Sequence, residues 1–277
     1  MLVSSGIGPL KGRRARKKTA RLLSRAEFIG LREESALDSL RSLGLNPRFA
    51  SVFADSALKI RNSTHSRVDF LLSQHLKNSL DNPHPTENEN SEKVNKYIAI
   101  SVRELRGESR SSSFLREINS EFIFRFTSVL DGIVNISGLH PIFLILSPED
   151  EKISRSIASK MSGQATLIPC LTPSEILGIL SRCSLAIGMR LHLLIYALAV
   201  GTPAIGLDRD PKIAAHLAYS HLPPPFPCSL PDTDALISRA ISMIDSADTL
   251  RPTLLARAAE LRSLAEAEGE EILRLVN

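Results

Sequence analysis

The chain has 277 residues, a formal net charge of +4, no tryptophan and 5% aromatic residues against 43% hydrophobic ones. That length holds one large or two modest domains with a sizeable core, and the wealth of Leu, Ile, Val and Ala suits parallel strands covered on both faces. Three widely spaced cysteines (Cys170, Cys183, Cys228) argue against a disulfide framework or a metal knuckle and point to a reducing cytoplasm, and no stretch reads as a signal peptide or a membrane span.

The first part reads as a strand fragment, a Gly6-Ile-Gly-Pro9 turn, a basic helix, a short strand near Phe28 to Leu31, a helix from about Glu33 to Leu43 and a strand at Ala50 to Phe53. Gly44 supplies the stop for the second helix. Lys11, Arg13, Arg14, Arg16, Lys17, Lys18 and Arg21 concentrate positive charge on the first helix. Such a patch suits nucleic acid, anionic lipid or a phosphorylated acceptor. The apolar stripe Ala15, Leu22, Leu23 and Ala26 makes a solvated face of an amphipathic helix the simpler reading. No aromatics interleave the charges, so nucleic acid is not an expected partner, whereas a peripheral membrane contact stays open.

A helical segment from Ser66 to Leu80 leads into a polar, proline-interrupted stretch, 81–92, expected as a flexible loop at a domain junction. From Tyr97 strands and helices alternate. Strands are predicted at Tyr97–Val102, Ile142–Leu146, Ala165–Ile168, Ser184–Ile187 and Pro203–Leu207. Helices are predicted over Phe114–Phe126, Pro148–Met161, from Thr172, up to about Val200 and from Asp210. Thr172-Pro-Ser-Glu175 carries both a capping box and a proline at the first helical position. The loop Pro223–Pro227 precedes two C-terminal helices, about Asp232–Ile244 and Pro252–Leu275, the last of which can pack back across the domain interface. The expected organisation is an N-terminal Rossmann-like remnant (1–62), a linker helix and polar loop (63–95), a C-terminal Rossmann-like domain (96–250) and a terminal helix (251–277), with parallel sheets throughout.

Gly188-Met-Arg-Leu-His192 is the most informative stretch. It joins a strand to an apolar helix, where free N–H groups and the helix dipole favour anions at the carboxyl end of a parallel strand. Arg190 is a partner for a carboxylate or phosphate, and His192 can move a proton near neutral pH. Both reach one ligand if Arg190 caps the helix and His192 lies in its first turn. The other reading is an Arg190 that caps a neighbouring helix and a His192 hydrogen-bonded in the core. Arg103, at the end of the Tyr97 strand, is a second candidate anion clamp or a surface residue. Lys212 can neutralise a phosphate or belong to ordinary Asp-Pro-Lys capping. No Walker loop, Gly-x-Gly-x-x-Gly fingerprint, metal-ligand set or catalytic triad is present.

Ala186-Ile-Gly-Met-Arg-Leu-His192, Gly201-Thr-Pro-Ala-Ile-Gly206 and Asp210-Pro-Lys212 together resemble the polysaccharide pyruvyl transferase family of the CsaB type. So do Gly6-Ile-Gly-Pro-Leu10, Arg32-Glu-Glu-Ser35 and Ala54-Asp55. The resemblance implies a GT-B-like fold, two Rossmann-like domains facing a cleft, and transfer of a pyruvyl group from phosphoenolpyruvate to two hydroxyls of a sugar, with release of phosphate. It implies that Arg190, Arg103, Gly188 and Lys212 hold phosphoenolpyruvate and that His192, with Arg190, is catalytic. It implies no metal or cofactor, and a cytoplasmic enzyme of cell-wall or exopolysaccharide biosynthesis whose acceptor glycan is free or lipid-linked. The family's initial strand and Gly-Asn-x-Gly-Asp turn have no counterpart here, so the acceptor-side domain is expected to be incomplete. A GT-B glycosyltransferase, a sugar-nucleotide epimerase or an inactive truncated remnant are the alternatives. Against the nucleotide-sugar readings stands the lack of a glutamate between Ser184 and Lys212.

Overall fold

The computed structural model describes residues 1–7, 10, 12–46, 50–77, 97–105, 112–169, 171–230 and 232–276. Among them two parallel sheets form. The first has the order β1 (Leu2–Ser5), β2 (Ile29–Leu31) and β3 (Ala50–Val52), with α1 (Arg13–Leu23) and α2 (Ser35–Ser42) as its connections. Its core is small: Leu23, Ile29, Leu31, Ala36 and Leu40. The basic face of α1 is solvated, and Leu22 of its apolar stripe is exposed while Leu23 is buried. Gly44 follows α2 at φ +75° with its N–H on the Arg41 carbonyl, a left-handed turn that favours glycine.

A 3-10 turn (Ser56–Lys59) and α3 (His65–Lys77) then lead to the second sheet. This contains β4 (Tyr97–Ser101), β5 (His140–Ile145), β6 (Thr166–Pro169), β7 (Cys183–Gly188), β8 (Ala204–Asp208) and β9 (Phe226–Pro227). The spatial order is β6-β5-β4-β7-β8-β9, all parallel. Counted within the sheet this is 3-2-1-4-5-6, the doubly wound order, and it reverses between β4 and β7. The polar stretch 81–92 lies outside the described residues.

The two faces of the second sheet are packed differently. Ile98, Ile100, Phe143, Ile145, Leu185, Ile187 and Leu207 face α4 (Ser112–Ser137), α5 (Glu151–Ala158) and α9 (Thr233–Asp245). On α4, Phe122 and Phe126 stack with centroids 5.2 Å apart. Full burial of Phe126 or Phe143 contributes about 1.5–3 kcal/mol each. On the other face the small residues Ala99, Ala186 and Ala204 lie under α7 (Leu191–Ala199), α6 (Pro173–Leu180), α3 and α10 (Ala247–Val276). Small strand residues let α7 sit close to the sheet, which fixes where its N-terminus emerges.

Three elements differ from expectation. The helix expected over Pro148–Met161 begins as a 3-10 turn, Pro148–Asp150, and ends at Ala158. The Pro223–Pro227 loop contributes the two-residue edge strand β9. α10 starts at Ala247, not at Pro252, which sits inside the helix. Pro252 removes one N–H of the helix without ending it. α10 also crosses to the first sheet. Buried Glu268 lies against Gly30 of β2, where any Cβ would collide with its carboxylate, and Arg262 Nε donates to the Leu58 carbonyl at 2.9 Å. Among the described residues no helix is long and apolar enough to cross a membrane.

Candidate active site at the strand-order reversal

The reversal between β4 and β7 brings Arg103 and Arg190 to one edge. Ser101 and Gly188 are register partners, and the Met189 N–H donates to the Ser101 carbonyl at 2.9 Å. A Cβ on Gly188 would stand 2.7 Å from that carbonyl and 2.5 Å from Leu193 Cδ2. Glycine is required here for close approach of two chain segments. What Gly188 does in the structure is therefore to bring Arg190 in beside β4.

Arg190 is the N-cap residue of α7, with extended backbone, and His192 is the second residue of the helix proper. Among the described residues the Arg190 guanidinium meets carboxylates rather than the carbonyls of a neighbouring helix. Its Nε donates to Asp150 Oδ2 at 2.8 Å, and its Nη2 donates to Asp150 Oδ1 at 2.5 Å and to Glu149 Oε1 at 3.0 Å. Asp150 is fully buried, and Glu149 is exposed. Both lie on the 3-10 turn after β5, whose place beside β4 puts them next to the reversal. Nη1 of Arg190 makes no hydrogen bond among the described residues. Burial works against the charge on Arg190, but the hydrogen bonds and charges of Asp150 and Glu149 outweigh it, and the guanidinium is held protonated more firmly than usual.

Arg103 Nη2 lies 3.6 Å from the same Glu149 Oε1. Its pKa is lowered by burial and by the positive charges of Arg190 and Arg209, against the pull of Glu149 and Asp150. Three guanidiniums and the carboxylates of Asp150 and Glu149 thus share one crowded region at the carboxyl ends of β4, β7 and β8.

His192 is exposed, so it is not a core histidine, and its ring lies 5.8 Å from that of Tyr196 one turn on. Lys212 has its N–H on Asp210 Oδ1 at 3.1 Å, the capping arrangement. Its side chain also borders a cleft of about 280 Å³ between α2 and α8 (Pro211–Tyr219).

Residues from the first sheet join them. Arg32 and Glu33 follow β2, and Asp55 follows β3. They share a small void with Leu191, Ile195 and His216, on α7 and α8. Arg32 Nη1 pairs with Asp55 Oδ2 at 3.2 Å, while its Nε is buried without a hydrogen-bond partner. Burial pushes the Glu33 carboxyl above the usual carboxylate range, against the pull of Arg32 and Lys212. Burial likewise lowers His216 to about 4, so it is neutral near pH 7. Asp150, Glu149, Glu33 and His216 were not among the expected site residues. Their one local signal is a charged residue directly after a short strand of a parallel sheet, which applies to Glu33, Glu149 and Asp150.

Comparison with solved structures shows the same architecture. HepE of Anabaena in complex with UDP-glucose aligns with a TM-score of 0.60 at 10% identity, over 98% of this chain and 71% of that one. UDP-GlcNAc 2-epimerase of Neisseria meningitidis, bound to UDP-GlcNAc, gives 0.60 at 14% identity over 98% and 69%. Sucrose-phosphate synthase of Thermosynechococcus elongatus gives 0.57 at 14% over 96% and 62%. At such identities the likeness is one of fold, and the fold is GT-B-like. No curated protein matches the sequence. Residues 1–211 match the polysaccharide pyruvyl transferase family, a span that includes Glu33, Arg103, Asp150, Arg190 and His192 and ends just before Lys212. With more than half of its length matched, the chain belongs to the polysaccharide pyruvyl transferase family of enzymes.

Proposed function

We propose that the chain transfers the pyruvyl group of phosphoenolpyruvate to two hydroxyls of a sugar in a cell-surface polysaccharide or its precursor, giving a pyruvate ketal and phosphate. The observation that carries this reading is the cluster of Arg103, Arg190 and Arg209 beside the N-terminus of α7, with His192 exposed at its edge. Phosphoenolpyruvate carries a carboxylate and a phosphate close together, and forked guanidiniums match both.

Asp150 fixes the plane of Arg190 through Nε and Nη2, leaving Nη1 to meet the donor. Glu149 bridges Arg190 and Arg103 where a ligand carboxylate would stand, and its exposure lets it swing aside. Lys212 adds positive charge from α8. His192, as imidazolium, protonates the methylene carbon of the donor. The cationic C2 that results is attacked by one sugar hydroxyl, phosphate departs, and the second hydroxyl closes the ketal. The acceptor is a glycan, free or lipid-linked, and the setting is the cytoplasm.

Calorimetric titration of phosphoenolpyruvate tests this. The wild-type chain binds it, Arg190→Ala does not, and His192→Gln binds it but transfers nothing. A folded wild-type chain that ignores phosphoenolpyruvate overturns the assignment. One observation favours a second reading: the solved relatives HepE and UDP-GlcNAc 2-epimerase are complexes with UDP-sugars. Binding of UDP in the same titration in place of phosphoenolpyruvate would select it.

A further inference from the structure

The cleft of about 280 Å³ between the two halves shares Lys212 with the proposed donor site, and its other walls are built for a polyhydroxyl ligand. Ser35, Ser39 and Ser42 line it from α2, at the i, i+4, i+7 spacing of one helix face. The Ser39 hydroxyl donates to the Ser35 carbonyl at 3.4 Å and that of Ser42 to the Ser39 carbonyl at 2.8 Å. The Ser39 and Ser42 protons are thus directed into the helix; Ser42 Oγ accepts from Arg16 Nη2 at 3.4 Å, and the Ser39 lone pairs are placed to accept from a ligand. Arg16 from α1, its Nη2 held on the Ser42 carbonyl at 2.6 Å, and Lys212 from α8 supply positive charge.

Glu33 borders both this cleft and the small void behind it. It is 6% exposed, and its carboxylate makes no hydrogen bond or ion pair among the described residues. This largely buried carboxylate, pushed up by burial against the pull of Arg32 and Lys212, borders the cleft, where a ligand hydroxyl can donate to it.

From this geometry we infer that the cleft seats the hydroxyl-bearing acceptor, with the Glu33 carboxylate as the group that takes the proton of its attacking hydroxyl. The inference rests on the pyruvyl-transfer reading and deepens it. As the hydroxyl oxygen bonds to C2 of the donor, its proton passes to Glu33, while C3 has gained one from His192. The C2–O bond to phosphate breaks as the second hydroxyl closes the ketal, and the second proton leaves with the phosphate. Glu33 and His192 regain their starting states by exchanging one proton through solvent.

The test titrates methyl glycosides of glucose, galactose, mannose and N-acetylmannosamine into wild type, Ser39→Phe and Glu33→Gln, each with and without phosphoenolpyruvate. Phosphate release is then followed with any glycoside that binds. At least one glycoside binds wild type. Ser39→Phe, which fills the cleft, loses that sugar while still binding phosphoenolpyruvate, which also shows that it is folded. Glu33→Gln binds both partners, but its phosphate release falls about a hundredfold or more, the size expected for removal of a general base. The seat is overturned if no glycoside binds wild type or if Ser39→Phe binds it equally well. The role of Glu33 is overturned if Glu33→Gln releases phosphate at the wild-type rate. A glycoside that binds wild type but not Ser39→Phe, in a chain that ignores phosphoenolpyruvate, supports the seat and sinks the donor reading.

Discussion

The guanidinium of Arg190 and the carboxylate of Asp150 meet edge to edge, Nε on Oδ2 at 2.8 Å and Nη2 on Oδ1 at 2.5 Å, across 40 residues of sequence. Asp150 is sealed from solvent, whereas Arg190 is one-fifth exposed at the side chain. The carboxylate is a fixed mount, and the arginine is the part that faces outward.

Asp150→Asn keeps the shape but removes the charge that holds the guanidinium. We expect a stability loss of about 1–3 kcal/mol, because a partly buried cation loses its partner. The KM for phosphoenolpyruvate should rise while Glu149→Gln, at the exposed neighbour, leaves stability unchanged. Urea denaturation of the two variants separates them, and equal stability would mean that Asp150 holds little.

In the proposed donor site Glu149 contends for the place of the incoming anion. In Glu149→Gln the Kd for phosphoenolpyruvate should drop several-fold by calorimetry, since a negative charge between two arginines is gone. A weaker complex would show instead that Glu149 is needed to position Arg103.

His216 sets an acid limit on the fold. Its folded pKa, about 4, lies below the ordinary histidine value of 6.5, so its contribution is complete above pH 6.5 and is lost as pH falls toward 4. Between pH 8 and pH 5 this one group should remove about 2 kcal/mol of stability. His216→Asn should flatten that part of the stability profile, measured by urea midpoints at the two pH values. A slope identical to wild type would exclude His216 as its source.

At Gly188 the obstacle is main chain, which cannot rotate away. Gly188→Ala should cost about 1–3 kcal/mol by overpacking against the Ser101 carbonyl. It should also weaken phosphoenolpyruvate binding by displacing Arg190. Thermal unfolding and the same calorimetric titration measure both, and a silent substitution would mean that β4 and β7 can part without consequence.

The helices and strands could be read from the sequence because their signals are local. Thr172 and Glu175 form the expected capping box, with Pro173 at the first helical position. The apolar runs at Ile142 and Ser184 became strands covered on both faces. What could not be read depends on distant neighbours. Nothing near residue 150 announces that its carboxylate faces Arg190, because that meeting follows from β5 lying beside β4 and β7 on its other side. Glu33 and His216 carried no expectation as site residues, because their burial comes from the packing of the first sheet against α7 and α8. Pro252 was a misleading start for the last helix, because α10 runs through it with one backbone hydrogen bond missing.

The path of α10 carries a mechanical consequence. It buries Leu254, Ala258 and Leu261 beside α7 and then reaches β2 with Glu268, so one rod is clamped to both halves of the molecule. Any squeeze of the cleft around an acceptor must drag or flex this rod. A side chain added far from the reacting atoms, at Gly30, would press on Glu268 and so on this rod, and should register as a change in the gape of the jaws.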